Sequence, residues 1–513
     1  MDSKDRKLDI VYAAAEMVPF AKVGGLADVA GSLTQVLARQ GHRVSVFLPL
    51  YPGARKQANL RLEPVASVGV RLGDRVIEGK VHHARLAESG VEVYFLENDA
   101  FYDRPNPYVD PKTGQDWPDN AERFAFFSRA ILETCAVRGW APDVFHLNDY
   151  QVGLVAALLR EEHAGNGLGQ SATVYSIHNL GYQGIFPRNG TDPSEARELA
   201  ERLSLNPDLM YPMAPLEFYG RLNFTKAALT YADLIVAVSP TYAREIQTEE
   251  FGFGLDGVLR ARTNRVIGIL NGIDADLWNP ATDALLPHNY GPSDFPGKAE
   301  NKARLLEAMH LPQDLGTPLI GIISRLVDQK GFDLLAEVAG ELFRAGKLRM
   351  VILGSGMPKY EELFRKLAKQ YPDRLAVEIG FNDPLAHLIE AGADFFLMPS
   401  KYEPCGLNQM YSMRYGTVPI VRATGGLADT VTAFDPTRGR GTGFVFEDYT
   451  PEALRAAIER ALAAYGQQRS FKNLITRIMA LDFSWERAAR EYVRAYERAM
   501  RCRRGEEVEV GQG

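Results

Sequence analysis

The amino-acid sequence predicts an α/β protein with two doubly wound domains. The chain has 513 residues, which is too many for one hydrophobic core of ordinary size. Apolar strand-like runs alternate with helical periodicity in the first half, give way to a connector with proline and glycine at 280–298, and then alternate again. Each half carries a glycine pair that opens a helix, in the similar strings GGLADV (24–29) and GGLADTV (425–431). We expect the domains at 1–264 and 265–482.

Composition and charge argue against several classes of protein. The formal charge of −7 gives no basic footprint, which disfavours a dedicated nucleic-acid binder. The three cysteines, Cys135, Cys405 and Cys502, are far apart and lack zinc spacing, which indicates a reducing compartment and no structural metal. No apolar run is long enough to span a membrane. The N-terminal residues only loosely imitate a signal peptide, because Asp9 and Glu16 interrupt the apolar run, so we expect a cytoplasmic protein.

The first predicted βαβ unit puts a glycine pair at a helix start. Its strands are Leu8–Ala15 and Val44–Leu48, and Gly24-Gly25 precede the intervening helix, with Lys22 beside them. Glycine lets a ligand approach the backbone, and helix-terminal N–H groups and a lysine attract an anion, so we expect a phosphate site. The sequence has no GxGxxG followed by an acidic residue, which makes a nicotinamide site unfavourable.

The next segments predict an extension of this sheet and a second group of polar strand ends. Residues 65–98 alternate with period two, which is typical of antiparallel strands, and a long loop at 99–120 leads to a helix at about 120–139. Parallel strands at Val144–Leu147 and Thr173–Ile177 end at Asp149 and His178. Because parallel strands end at one edge of a sheet, we expect these two residues on the side that carries Lys22, in a ligand cleft.

The alternation continues with a helix at 223–231, a strand at 234–238, a helix at 240–247 and a strand at 266–270. Asn271-Gly272 then indicates a turn. Asp274 and Asp276 match the Asp-x-Asp that holds a metal in one class of sugar transferases, although two acidic residues in a linker between domains are the commoner explanation.

The second half repeats the pattern, and its strand ends are cationic. Strand Leu319–Ile323 is followed by a segment that contains Arg325 and Lys330, and strand 395–398 is followed by PSKYEPCGLNQMY (399–411), with Glu403 and Gly406. Further strands are predicted at 350–353, 376–379 and 418–421, and helices at 332–345, 451–465, 470–481 and 485–501. Two cations with free helix-terminal amides form a site for a leaving diphosphate, and the glutamate can hold sugar hydroxyls. These features describe a nucleotide-sugar transferase, whereas the lack of GxxxxGK[ST] disfavours a P-loop enzyme.

Eight motifs, in this order and spacing, resemble those of the bacterial and plant glycogen/starch synthases of the ADP-glucose type, over nearly the whole chain. They are KVGGLADV (22–29), DWPDNAERF (116–124), IHNLGYQG (177–184), LNGID (270–274), SRLVDQKG (324–331), PSKYEPCGLNQMY (399–411), TGGLADTV (424–431) and TGFVFED (442–448).

The resemblance implies the GT-B fold, with two Rossmann-like domains that face each other across a deep cleft. The N-terminal domain would be the acceptor side and the C-terminal domain the nucleotide-sugar side. A terminal helix at 483–501 would cross back to the N-terminal domain, and 502–513 would be a disordered tail. The implied reaction transfers glucose from ADP-glucose to the non-reducing end of an α-1,4-glucan such as glycogen, with retention of configuration and with no metal or cofactor. Nucleic acid and membrane partners are not expected, and the oligomeric state stays open.

The resemblance also assigns site residues by motif match. Those implied in catalysis are Arg325, Lys330, Glu403 and His178. Those implied in donor binding are Lys22, Gly24, Gly25, Asn271, Gly354, Cys405, Gly406, Leu407, Thr424 and Gly425. Those implied on the acceptor side are Asp28, Asp149 and Tyr182.

The chain departs from the family's pattern at one place. The family often has His-Asp-Trp-His around Asp149, and this chain has Asn148-Asp149-Tyr150-Gln151, which puts the acceptor grip in question. Many related retaining enzymes carry a second glutamate where this chain has Tyr411. The synthase branch also has a tyrosine there, so Glu403 would be the only glutamate of the pair.

Three alternatives stay open at this point. Cys405 fits a nucleophile or a small buried loop residue, and the second is favoured because no histidine is near it in sequence. The chain also fits another retaining GT-B transferase, such as a sucrose-type or glycolipid-directed enzyme that uses UDP-glucose. Finally, it fits a glucan-binding protein without activity, although the presence of Lys22, Arg325, Lys330 and Glu403 argues against this.

Overall fold

The computed structural model describes residues 6–57, 60–187, 192–292 and 294–506, and these form two compact units. The first unit comprises residues 1–238, 243–269 and 485–513, and the second comprises 239–242 and 270–484. Each unit is built on a largely parallel sheet with helices, as the alternating sequence pattern predicts.

The first unit contains a nine-stranded sheet and a small three-stranded one. The large sheet consists of β1 (Asp9–Ala13), β2 (Arg43–Pro49), β3 (Glu63–Leu72), β4 (Arg75–Arg85), β5 (Glu92–Glu97), β6 (Val144–Asn148), β7 (Ala172–Ile177), β11 (Leu234–Ala237) and β12 (Val266–Gly268). The small sheet consists of β8 (Ile185–Phe186), β9 (Glu217–Phe218) and β10 (Arg221–Asn223). The order in the large sheet is β12-β11-β7-β6-β1-β2-β5-β4-β3. Because β4 is antiparallel to both β3 and β5, the antiparallel extension predicted at 65–98 is confirmed.

Nine α-helices lie between residues 25 and 261 of the described chain, and they include helices that the sequence analysis does not predict. They are α1 (Gly25–Arg39), α2 (Pro52–Arg55), α3 (Asp99–Tyr102), α4 (Asn120–Val137), α5 (Leu154–Glu161), α6 (Pro193–Arg202), α7 (Phe224–Tyr231), α8 (Pro240–Glu245) and α9 (Asp256–Ala261). The segment predicted as a loop at 99–120 begins with the short helix α3, which Asn98 caps by accepting a hydrogen bond from the Phe101 N–H.

The second unit contains a six-stranded parallel sheet in the order β15-β14-β13-β16-β17-β18. Its strands are β13 (Leu319–Ile323), β14 (Arg349–Gly354), β15 (Leu375–Ile379), β16 (Phe395–Met398), β17 (Val418–Arg422) and β18 (Phe444–Phe446). Its helices are α10 (Phe295–Ala308), α11 (Phe332–Ala345), α12 (Pro358–Gln370), α13 (Asp383–Gly392), α14 (Asn408–Arg414), α15 (Gly425–Thr430), α16 (Pro451–Tyr465) and α17 (Gln468–Met479). Strands β13 and β16 are neighbours in this sheet. The loop after β13 contains Arg325 and Lys330, and the loop after β16 contains Glu403.

The connector predicted at 280–298 is wrong at its end, because α10 begins at Phe295. The Asp294 side chain caps this helix by accepting a hydrogen bond from the Gly297 N–H, and Pro296 lies in its first turn. Proline is favoured there because the first N–H groups of a helix have no partner within it. The Pro296-Gly297 pair, which indicates a turn in the sequence, therefore starts a helix.

The last helix, α18 (Trp485–Arg503), packs in the core of the first unit. Trp485, Tyr492 and Tyr496 are buried there with apolar residues of β1, β2, β6, β7 and β11. The Tyr496 hydroxyl lies 2.8 Å from His146 Nδ1. In the predicted tail, residues 502 and 503 still belong to the helix, 504–506 follow it, and 507–513 lie outside the described residues. Among the described helices, none is both long and apolar enough to cross a membrane.

Candidate active site

Glu16, Asp149 and His178 follow the carboxyl ends of three neighbouring parallel strands in the first unit, β1, β6 and β7. The Asp149 Oδ1 accepts a hydrogen bond from the His178 N–H at 2.8 Å. The structure therefore brings the two polar residues of the predicted cleft together. Asp149 has a positive φ of 58°, which is uncommon for a residue with a side chain and is typical of binding and catalytic positions.

Burial raises the pKa of the Asp149 carboxyl to about 7, although hydrogen bonds from the backbone N–H groups of His178 and Asn179 oppose the shift. Burial lowers the pKa of His178 to about 4, so this ring is neutral at pH 7. These two shifts make both side chains far less charged at neutral pH than exposed residues of the same types.

Asn148 fixes the orientation of the His178 ring, and the sequence analysis missed this role. Its Nδ2 donates to the Ala13 carbonyl at 3.1 Å, so its Oδ1 is the acceptor for the Tyr12 hydroxyl at 3.1 Å and for His178 Nε2 at 3.0 Å. His178 is then protonated on Nε2, which leaves Nδ1 as the acceptor of the ring. Asn148 therefore keeps a polar side chain at a position where the resemblance implies that the family often has histidine.

The Lys22 loop is held by Glu16, which the sequence analysis also missed. Glu16 Oε2 accepts hydrogen bonds from the backbone N–H groups of Val23 at 2.5 Å and Gly24 at 2.8 Å. Lys22 Nζ lies 2.8 Å from Asp28 Oδ1, and this pair is partly exposed. Asp28, which the resemblance assigns to the acceptor side, is thus the ion-pair partner of Lys22.

The glycine at position 24 is not required by the packing of the first unit. Gly24 is exposed and extended, with φ −141° and ψ −168°, a conformation open to any residue. A Cβ atom built on it has no neighbour within 4 Å. Its N–H already donates to Glu16, so what Gly24 offers a ligand is open space beside the backbone rather than a free amide.

In the second unit, hydrogen bonds join the loops that follow β13 and β16. The Lys401 N–H donates to the Gln329 carbonyl at 2.8 Å, and the Gln329 Nε2 donates to the Tyr402 carbonyl at 3.2 Å. Gly331, at φ +73°, lets the two loops touch, because a Cβ there would fall 1.9 Å from the Pro399 carbonyl oxygen. The loops that follow β13 and β16 therefore lie against each other.

Lys330 and Glu403 meet at the centre of these joined loops. Lys330 Nζ lies 2.6 Å from Glu403 Oε2, and the Ser400 hydroxyl donates to the same oxygen at 3.0 Å. Glu403 is 6% exposed, so the pair is poorly screened by solvent. Arg325 follows β13 in the same loop as Lys330 and is exposed.

The glycines around this pair are required by close packing. A Cβ on Gly354 would fall 1.9 Å from the Ser324 carbonyl oxygen, and one on Gly425 would fall 1.9 Å from the Glu403 carbonyl oxygen. Gly425 has φ +45°, and Gly406 has φ +70°. Thr424 is buried and precedes α15, and Leu407 precedes α14. Loop geometry alone thus accounts for the glycine residues at these positions.

Cys405 is a buried loop residue whose reactivity is low. Burial raises the pKa of its thiol to about 12, and the backbone N–H of Asn271 donates a hydrogen bond to it. Asn271 is itself buried, and its Oδ1 has no hydrogen-bond partner among the described residues. An unpaired buried acceptor beside the Glu403 loop is a position at which a ligand hydroxyl or amine can donate.

Three further positions raised by the sequence have identifiable surroundings. Tyr411, which stands where related enzymes carry a second glutamate, stacks on Trp278 with ring centroids 3.9 Å apart. Asp274 Oδ1 accepts hydrogen bonds from the backbone N–H groups of Asp276 and Leu277, which is a local turn. Among the described residues there is no group of three or more His, Cys, Asp or Glu that could hold a metal ion. Tyr182 is 55% exposed, on the first unit.

Known proteins match this chain over nearly its whole length. A family model described as starch synthase catalytic domain matches residues 9–261, and one described as glycosyl transferases group 1 matches residues 309–476. The chain is 46% identical to a glycogen synthase of Koribacter versatilis over 501 residues, which are 97% of this chain and 99% of that protein. It is 46% identical to a glycogen synthase of Syntrophotalea carbinolica over 497 residues, which are 96% of this chain and 99% of that protein.

Solved structures that are similar to this one include those of two synthases. The catalytic domain of starch synthase IV from Arabidopsis thaliana, bound to ADP and acarbose, matches with a TM-score of 0.86 and 33% identity, over 96% of this chain and all of that chain. A sucrose-phosphate synthase from Thermosynechococcus elongatus matches with a TM-score of 0.59 and 19% identity, over 96% of this chain and 98% of that chain, and this likeness concerns the fold alone.

Proposed function

This chain belongs to the glycogen and starch synthase family of glycosyltransferases, and we propose that it transfers glucose from ADP-glucose to the non-reducing end of an α-1,4-glucan. The fold is GT-B, with two Rossmann-like α/β domains, as the sequence predicts. The glucosyl C1 breaks its bond to the diphosphate oxygen and bonds the acceptor O4 with retention of configuration. The departing phosphate accepts the acceptor proton, so we assign no side-chain general base.

The observation that carries the proposal is the Lys330–Glu403 pair at the joined ends of β13 and β16. We propose that Lys330 and Arg325 neutralise the charge that develops on the diphosphate as it leaves. Glu403, already anchored by Ser400, would accept hydrogen bonds from glucosyl hydroxyls. In the absence of a donor, the carboxylate neutralises Lys330. The position of the lysine at a buried strand end is therefore set before the phosphate arrives, which lowers the cost of ordering it.

His178 and Asp149 act on the sugar and acceptor side in this proposal. A neutral ring that donates Nε2–H to Asn148 presents Nδ1 to a glucosyl hydroxyl, and a pKa of about 4 disfavours a role for His178 as a general acid at neutral pH. The backbone carbonyl of His178 would lie near the anomeric carbon. Asp149 holds the His178 N–H and would bind acceptor hydroxyls, as would Tyr182 with its exposed ring.

The remaining positions complete the donor and acceptor contacts of the proposal. Lys22 would exchange Asp28 for the diphosphate, and the open space at Gly24 would let the phosphate approach. Further donor contacts are proposed at Gly25, Asn271, Gly354, Cys405, Gly406, Leu407, Thr424 and Gly425. We keep the N-terminal domain as the acceptor side and the C-terminal domain as the nucleotide-sugar side. A cytoplasmic location is proposed from cysteine usage, because the cysteines at 135, 405 and 502 are free and buried.

The test is nucleotide release from ADP-glucose and from UDP-glucose, each with and without glycogen. We expect release of ADP that depends on glycogen, with UDP-glucose a much poorer donor. Nucleotide release from UDP-glucose without a glucan would instead support a transferase with another acceptor. Glycogen binding without release from either donor would support a glucan-binding protein without activity.

A further inference from the structure

Glu16 is a buried carboxylate that the proposed chemistry does not use. It is 4% exposed and lies three residues beyond β1. Besides the two N–H groups that donate to Oε2, the Tyr108 hydroxyl donates to Oε1 at 2.6 Å. Among the described residues it has no ion-pair partner, so three hydrogen bonds replace its hydration. Burial of a carboxylate without a cation costs folding free energy, so we looked for a role that this residue could have.

The two groups of donors come from different loops. The Val23 and Gly24 N–H groups belong to the Lys22 loop, and Gly24 caps helix α1, whose dipole favours an anion at this end. Tyr108 belongs to the segment between α3 and α4. The Glu16 carboxylate therefore bridges these two segments, and Tyr108 is 92 residues from Glu16 in sequence.

The segment that carries Tyr108 is itself firmly held. The Tyr108 carbonyl accepts hydrogen bonds from the Trp117 N–H at 3.1 Å and from Asn120 Nδ2 at 2.9 Å. The fully buried Arg123 donates to the Pro107 carbonyl at 3.0 Å. Tyr108 is thus a fixed point, whereas the Lys22 loop is exposed from residue 22 to residue 25. Glu16 therefore connects the firmly held segment to the exposed loop through hydrogen bonds.

We propose that Glu16 is a positioning residue, whose carboxylate fixes the Val23–Gly24 backbone so that Lys22 Nζ meets the donor diphosphate, and that Tyr108 holds Glu16 in place. This inference rests on the proposed function of Lys22. It assigns to Glu16 no contact with the substrate. The carboxylate acts only through the loop that it holds.

Substitutions at this position separate geometry from charge. Glu16→Gln keeps the length and one carbonyl oxygen for both N–H groups, and its amide can donate to the Tyr108 hydroxyl oxygen. Glu16→Ala leaves two buried N–H groups and one hydroxyl without their acceptor. Tyr108→Phe removes a single hydroxyl. We therefore expect the losses to rank Ala, then Phe, then Gln.

The decisive experiment is a double-mutant cycle with Glu16→Ala, Lys22→Ala and the double variant. We expect Glu16→Ala to raise the KM for ADP-glucose or lower kcat by up to about tenfold, which is the loss expected of Lys22→Ala, with the KM for glycogen little changed. In the Lys22→Ala background the same substitution should cost less than about threefold, because the side chain that it positions is gone. Glu16→Gln should stay within about threefold of the wild-type enzyme.

Glu390→Ala in the second unit is the matched control, because Glu390 also carries a buried carboxyl group, 1% exposed, and accepts from Ser412 at 2.6 Å. It should lower the melting temperature without changing the KM for ADP-glucose. If Glu16→Ala proves unfolded, Tyr108→Phe replaces it in the cycle with Lys22→Ala, and the same non-additivity is expected.

Additive losses from Glu16→Ala and Lys22→Ala would overturn the inference, as would a Glu16→Gln enzyme no better than Glu16→Ala. Wild-type activity in the Glu16→Ala variant would also overturn it, with the proposed function intact. A wild-type protein that releases no ADP from ADP-glucose would instead overturn the proposed function. Calorimetry then measures the affinity for ADP of the wild-type protein, Glu16→Ala, Lys22→Ala and the double variant. Losses of affinity that are less than additive would support the action of Glu16 through Lys22, and additive losses would contradict it.

Discussion

The string Gly-Gly-Leu-Ala-Asp occurs at 24–28 and at 425–429, and the two copies serve different physical purposes. In both, the glycines open a helix and the leucine is buried. In the first copy Gly24 is exposed and a Cβ on it meets nothing within 4 Å. In the second, Gly425 is buried at φ +45°, with the Glu403 carbonyl oxygen 1.9 Å from where its Cβ would lie.

The acidic residues of the two copies differ in the same way. Asp28 forms a partly exposed ion pair with Lys22. Asp429 accepts hydrogen bonds from the Thr241 N–H and hydroxyl, both at 2.8 Å, within the second unit. The second copy therefore packs against the Glu403 loop and Thr241, whereas the first is exposed at Gly24 and Lys22, where we propose that the diphosphate binds. The shared sequence starts a helix in both places, and the surrounding residues determine what the glycines and the aspartate contact.

The largest predicted effect of a single substitution at a fixed pH is the loss of stability in Gly425→Ala. The new Cβ would clash with the Glu403 carbonyl, and alanine is strained at φ +45°, so we expect a decrease of about 3 kcal/mol in the free energy of unfolding. Gly24→Ala should change that free energy by less than about 0.5 kcal/mol, and raise the KM for ADP-glucose instead. Urea unfolding and initial rates measure the two quantities. Equal destabilisation by both substitutions would break the comparison.

Next in size is the difference between the two site lysines. Lys330→Ala should reduce turnover by about a hundredfold or more, because it removes a cation that contacts a buried carboxylate and that we propose meets the leaving diphosphate. Lys22→Ala should reduce it by about tenfold, because its side chain is 53% exposed and acts from a loop. Lys359→Ala is the control, since Lys359 forms an exposed pair with Asp328 in the same unit. Near-normal turnover in Lys330→Ala would remove Lys330 from the mechanism.

The sequence was sufficient to predict the fold where apolar runs are continuous. The bounds of β13, α11 and α16 agree with the sequence predictions residue for residue, because buried parallel strands and amphipathic helices have dense apolar patterns there. Helix α12 was missed because only Tyr360 and Phe364 of its thirteen residues are buried, which leaves too weak a pattern. Helix α10 was missed because its first-turn proline resembles a breaker.

The predicted site residues were those with a motif, and the missed ones were those whose role depends on the fold. Glu16 and Tyr108 meet only because the chain brings together segments 92 residues apart. Ser400 supports Glu403, and Asn148 orients His178, through side-chain hydrogen bonds that no spacing in the sequence indicates. A polar residue directly after a predicted strand, Leu8–Ala15 or Val144–Leu147, was the available signal for Glu16 and Asn148.

The third prediction concerns the pH dependence of stability. It involves Asp149 in the first unit, which also contains the Gly-Gly-Leu-Ala-Asp string at 24–28. Burial raises the folded-state pKa of Asp149 from its ordinary value of 3.8 to about 7, so its contribution to stability is complete below pH 4 and is lost as pH rises through 7. The free energy of unfolding of the wild-type protein should therefore fall relative to Asp149→Asn between pH 4 and 7, by at most about 1.4 kcal/mol per pH unit. The two should run parallel above pH 8. Urea unfolding at four pH values checks this, and parallel curves throughout would contradict it.

The smallest predicted effect separates the two acidic residues of the repeated string. Asp429→Ala should lower the free energy of unfolding by about 1–2 kcal/mol, because the N–H and hydroxyl of Thr241 lose a charged acceptor. Asp28→Ala should lower it by less than about 0.5 kcal/mol, because a partly exposed ion pair stabilises little. Urea unfolding of both variants measures the difference. Thr241→Ala should reproduce part of the Asp429→Ala loss and should add little to it in the double variant, whereas equal losses at positions 28 and 429 would mean that the two copies hold their surroundings alike.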